Sequence, residues 1–168
     1  MTGEGTIVIE VPTAEDMRAL GVRLAGLLRA GDLLVLTGDL GAGKTTLTQG
    51  IGEGLKIRGP VTSPTFVIAR VHPSLVDGPP LVHVDAYRLG GFAELDDLDL
   101  DASVAESVTI VEWGEGLAEG LADDRLEITV SRGPAGASEL RTVEIVGVGS
   151  RWASGLDDLA WSERPETR

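Results

Sequence analysis

Eight consecutive residues, Gly38, Asp39, Leu40, Gly41, Ala42, Gly43, Lys44 and Thr45, follow the pattern G-x4-G-K-[ST]. Each residue type has a chemical reason to be there. The glycines let the backbone turn sharply and aim N–H groups inward, where they can bond phosphate oxygens. A helix beginning at this point adds the positive end of its dipole. Lys44 supplies a compact ammonium for the β- and γ-phosphates, and the Thr45 hydroxyl is a ligand for Mg²⁺. The expected ligand is a magnesium-bound nucleotide, with ATP the first candidate. A glycine-rich turn before an ordinary helix is the alternative, and it requires neither the lysine nor the hydroxyl.

Two apolar runs end in carboxylates. Residues 81–85 read LVHVD and residues 110–112 read IVE. An acid at the carboxyl end of a central strand faces the crevice where ligands of open α/β sheets bind. Asp85 is therefore a candidate to hold magnesium, directly or through water, and Glu112 to bind it or to orient an attacking water. Trp113 lies along the nucleotide pocket or packs as a core aromatic; both readings stand. Ser63-Pro64-Thr65 offers hydroxyls that can reach a γ-phosphate, or forms an ordinary turn into a strand. His83, inside an apolar strand, reads as a core histidine rather than a ligand. The acidic run Asp96–Asp101 reads as a solvated face.

These groups need elements to position them. Residues 6–11 (TIVIEV) read as a strand. Thr13 then caps a helix whose apolar face is Met17, Leu20, Leu24, Leu27 and Leu28. Residues 32–37 (DLLVLT) form a continuous apolar run, the pattern of a strand buried on both faces. The glycine loop follows, then a helix over 45–55 ended by Gly54 and by Gly59-Pro60. Strands are expected at 65–71, 80–85 and 108–112, a short helix or turn at 94–101, and an antiparallel pair at 126–131 and 140–146. The expected fold is a P-loop NTPase of the α/β class: a mainly parallel central sheet flanked by helices, with an antiparallel C-terminal hairpin. One domain is expected over 1–147, with 148–168 a tail that is a short helix or partly disordered.

The chain has 168 residues, enough to bury a substantial core, and no apolar stretch of membrane-spanning length. Its acidic, polar start does not read as a secretory signal, and it has no cysteine, which suits a reducing cytoplasm. Net charge is −13, and the basic residues are scattered singly, so strong direct binding to nucleic acid is not expected. Lys44 and Lys56 are the only lysines in a chain that otherwise uses arginine.

Together, GDLGAGKTT (38–46), SPTF (63–66), HVDAYRL (83–89), FAELDDLDL (92–100) and IVEWGE (110–115) resemble the small bacterial P-loop ATPases of the TsaE (YjeE) family. That family acts in tRNA threonylcarbamoyladenosine biosynthesis. The resemblance implies ATP hydrolysis beside two partner proteins, TsaB and TsaD, the latter transferring the threonylcarbamoyl group to adenosine 37 of tRNA. It implies phosphate binding along Leu40–Thr45 and on to Thr46, magnesium at Thr45 and Glu112, and Asp85 as the strand-end carboxylate. It also makes Thr65 similar to a switch-like threonine and Trp113 to a tryptophan beside the site. Thr13, Ala14 and Arg141 are similar in position to adenine-side contacts.

Two other classes share the same P-loop. A small-molecule kinase would need an acceptor pocket and a basic lid, where this chain offers only isolated Arg70 and Arg88. A nucleotide-sensing binding subunit would keep Lys44, Thr45, Asp85 and Glu112 as well.

Overall fold

The computed structural model describes residues 5–38, 43–57, 69–85, 106–112, 124–132 and 140–152. Among them run strand β1 (Gly5–Val11), helix α1 (Ala14–Ala25), β2 (Leu33–Gly38), helix α2 (Lys44–Leu55), β3 (Ala69–His72), β4 (Leu81–Asp85), β5 (Val108–Glu112), β6 (Arg125–Arg132) and β7 (Arg141–Val148). A 3-10 turn at Ser150–Trp152 follows.

The described strands form one seven-stranded sheet in the order β1-β7-β6-β2-β5-β4-β3. Its centre is parallel, β6-β2-β5-β4, and antiparallel pairs extend it on both sides. The expected parallel sheet and C-terminal hairpin are both present, and β1 continues the antiparallel side. Burial follows from this plan. In β2, Leu33, Leu34, Val35 and Leu36 are all buried, as a strand covered on both faces requires. In β6, Leu126, Ile128 and Val130 face the core while Arg125, Glu127 and Thr129 alternate outward.

Helices α1 and α2 pack on the face carrying Leu34, Leu36, Ile110 and Ile128. Thr13 caps α1, its hydroxyl accepting from the Asp16 amide at 3.1 Å and donating to the Asp16 carboxylate at 2.9 Å. The two helices approach through glycines. A Cβ on Gly21 would lie 2.5 Å from the Leu47 carbonyl oxygen, and one on Gly50 would overlap the Arg18 carbonyl. Arg18 and Glu53 bridge the same seam at 3.3 Å.

Gly54, expected to help end α2, lies within it. Its close approach to Val22 and Ala25 of α1 explains why a glycine stands there, and Lys56, in the left-handed conformation at φ 59°, caps the helix. The strand expected at 65–71 is described only from Ala69 and continues to His72. The acidic segment 94–101 lies outside the described residues.

Beyond β7, the 3-10 turn carries Trp152 into the hydrophobic core. Arg151 beside it donates to both carboxylate oxygens of Asp32, at 3.0 and 2.9 Å, and to the Leu27 carbonyl at 2.7 Å. Its guanidinium also lies over the Trp152 ring, 3.9 Å from the centroid. Asp32, just before β2, in turn accepts from the Arg29 amide at 2.8 Å. No described helix is long and apolar enough to cross a membrane.

Candidate functional site

Gly38 and Gly43 flank the glycine loop, both with positive φ, 148° and 111°. At Gly38 a Cβ would overlap the Val130 carbonyl of β6, and at Gly43 it would meet Met17 of α1 at 3.2 Å. Glycine is needed at both ends for conformation and for space. Gly43 is the N-cap of α2. With no side-chain cap and no first-turn acid among the described residues, nothing there offsets the positive end of the dipole, which favours an anion.

Lys44 is buried at the head of this helix, and its ammonium donates to the Gly38 carbonyl at 2.6 Å. Thr45 and Thr46 are half-buried in the first turn. Thr48 differs: its hydroxyl is committed to the Lys44 carbonyl at 2.9 Å.

The carboxyl ends of β2, β4 and β5 meet at one end of the sheet. Leu36 pairs with Glu112, and Asp85 pairs with Glu112. Paired positions share a face, so Glu112 lies on the face that Leu36 presents to the α1–α2 layer. Asp85 stands at the register position next to it. The same end of the sheet carries the start of α1. Val11 pairs with Arg141, and Thr13 follows two residues after Val11. Thr13 and Ala14 are exposed there, and Arg141 is half-buried, donating to the Leu140 carbonyl at 3.1 Å. The sequence candidates Gly38, Gly43, Lys44, Thr45, Thr46, Glu112, Thr13, Ala14 and Arg141 are thus gathered at one end, with the backbone of Asp85. Asp39, Leu40, Gly41, Ala42, Thr65 and Trp113 lie outside the described residues.

Glu112 is almost wholly buried, its side chain 6% exposed, and it does not stand alone. His83, fully buried in β4, places Nε2 2.5 Å from Glu112 Oε2. An ionised carboxylate only accepts, so the ring proton of this bond is assigned to Nε2. Sequence reasoning set His83 aside as a core residue. The available signal was parity: His83 and Asp85 are two apart on a strand and share a face, beside a neighbouring strand that also ends in an acid.

The donor set suits a magnesium nucleotide. A threonine hydroxyl and a carboxylate are hard oxygen ligands, and nucleotide-bound Mg²⁺ takes few protein ligands beyond the phosphates. The uncapped helix start and the buried ammonium are the features that polyphosphate requires.

A family model described as threonylcarbamoyl adenosine biosynthesis protein TsaE matches residues 11–140. The tRNA threonylcarbamoyladenosine biosynthesis protein TsaE of Streptomyces coelicolor is 66% identical over 140 residues, spanning 82% of this chain and 95% of that protein. The protein of the same description from Bacillus subtilis is 40% identical, spanning 87% of this chain and 89% of its own length. The crystal structure of YdiB from Bacillus subtilis superposes with a TM-score of 0.72 at 30% identity, covering 96% of this chain and 98% of that one.

Proposed function

This chain belongs to the TsaE family, and we propose that it is a magnesium-dependent ATPase supporting tRNA threonylcarbamoyladenosine biosynthesis. Its expected place is in the cytoplasm, beside partner proteins of the TsaB and TsaD type that transfer the threonylcarbamoyl group to adenosine 37. The observation that carries the reading is Lys44, buried at the uncapped start of α2, on the sheet face that Glu112 shares.

The residues divide the work as follows. The Lys44 ammonium binds the β- and γ-phosphates, together with backbone N–H groups of the loop and of the first turn of α2. Thr45 and Glu112 would hold the magnesium, with Asp85 beside Glu112 in register. Magnesium, when bound, neutralises charge developing on the phosphates. Glu112 also serves to orient the attacking water, and its burial limits competition from bulk solvent. Thr13, Ala14 and Arg141, at the same end of the sheet, form the base side of the pocket. Trp113 and Thr65 complete the assignment on the strength of the family resemblance.

The test is ATP turnover by the full chain, with and without TsaB- and TsaD-type partners, scored together with modified-tRNA formation. Slow turnover that rises with the partners, and tRNA modification that requires Lys44, is the expected result. Modification proceeding equally well with the Lys44→Ala chain would refute the reading.

A further inference from the structure

The proposed function leaves one deeply buried polar side chain without a task. His83 is 0% exposed, midway along β4, with Ile110 as its register partner. A polar ring in such a place is costly unless it is bonded, and Nδ1 has no partner among the described residues. An apolar residue of similar size would fill the same volume without an orphaned nitrogen. What the imidazole provides, and an apolar residue could not, is the bond from Nε2 to Glu112 Oε2.

Glu112 and Asp85 pair across β5 and β4, and His83 precedes Asp85 by two residues on the same face. The ring therefore reaches Glu112 from the sheet interior, one step back from the strand end. Fixing Oε2 there removes rotational freedom from a carboxylate that would otherwise sample several rotamers. Among the described residues, Glu112 has no other hydrogen-bond partner, so Oε1 remains for an incoming ligand.

We propose that His83 is a positioning residue, whose Nε2–H holds Glu112 Oε2 so that Glu112 offers Oε1, already oriented, to a nucleotide-borne divalent cation. This rests on the reading of Glu112 as the metal-side carboxylate. Hydrogen-bond partners of metal ligands change metal affinity or activity by about 10- to 100-fold when removed.

The experiment uses the full chain, Mn²⁺ as the probe, and a non-hydrolysable ATP analogue. Electron paramagnetic resonance gives Mn²⁺ affinity at saturating analogue, and calorimetry in chelator gives analogue affinity without metal. His83→Ala should weaken Mn²⁺ binding about 10-fold while metal-free analogue affinity stays unchanged. His83→Gln should recover most of the loss, because its amide can donate to the same oxygen. Nitrogen-15 NMR of the wild-type chain, which does not depend on any variant folding, should place the ring proton on Nε2. That resonance should move in Glu112→Gln and stay in place in Asp16→Asn.

Wild-type Mn²⁺ affinity in His83→Ala, or a ring proton on Nδ1, would overturn the inference alone. So would equal loss of metal-free and metal-dependent binding, which is the mark of general loosening. A wild-type chain that shows no nucleotide-dependent Mn²⁺ site would overturn the proposed function and this inference with it.

Discussion

Gly50 of α2 presses against the carbonyl of Arg18 in α1, leaving no room for even a methyl group between them. Backbone meets backbone here, so no side-chain rotation can relieve an intrusion. Gly50→Ala should therefore force the helices apart and cost about 3 kcal/mol, the upper part of the range for overpacking. Gly78→Ala is the matched control, since a Cβ there would find its nearest neighbour, the Ser74 hydroxyl, at an ordinary 3.5 Å. Thermal unfolding should show a drop of roughly 6–12 °C for the first and almost none for the second.

Lys44→Ala should weaken ATP binding by roughly 10- to 100-fold, the equivalent of about 1.5–3 kcal/mol for charge-assisted bonds to phosphate. Isothermal titration measures it directly. Unchanged affinity would remove the P-loop assignment itself, however well the fold superposes.

Glu112→Gln keeps the shape of the side chain and removes its charge. ATP binding should stay measurable while hydrolysis falls by about 10²-fold or more, the scale of lost general-base assistance. Single-turnover hydrolysis with saturating ATP and Mg²⁺ separates the two. A wild-type rate would make Glu112 a bystander.

Arg151→Ala should destabilise the chain by about 3 kcal/mol, because it leaves the Asp32 carboxylate buried without its cation. Arg151→Lys should rescue little. A single ammonium does not reproduce the fork that bonds both oxygens of Asp32 and the Leu27 carbonyl together. Urea unfolding of the three proteins gives the ranking, and a lysine variant as stable as wild type would count against this geometry.

What could be read in the sequence was what short-range pattern encodes. The loop, its lysine and the β2 strand before it are contiguous, so residue type and spacing suffice for them. Glu112 and Asp85 were legible as strand ends, but their side-by-side register was not, because register depends on how separate strands align. His83 was read as a core histidine and is fully buried, but its bond to Glu112 was not legible for the same reason: the partner lies on another strand, 29 positions away. Gly54 misled because a glycine near a helix end usually marks the stop, whereas here it serves a helix crossing. Trp152 lacked any periodic context, and its place in the core comes from a single turn after β7.

The position of β7 has a consequence for synthesis. Among the described strands β1 comes first in sequence and pairs with β7 alone, Val11 opposite Arg141 and Gly5 opposite Gly147. At ribosomal rates of about 5–20 residues per second, β1 waits on the order of ten seconds before its partner exists. During that interval Ile7, Ile9 and Val11 have no strand to pair with, and α1 already follows them on the chain. Pairing of β1 into the sheet waits until β7, 130 positions after the end of β1, has been made. A nascent chain stalled before residue 141 therefore carries the whole glycine loop and both strand-end acids, but lacks the strand that joins β1 to β6.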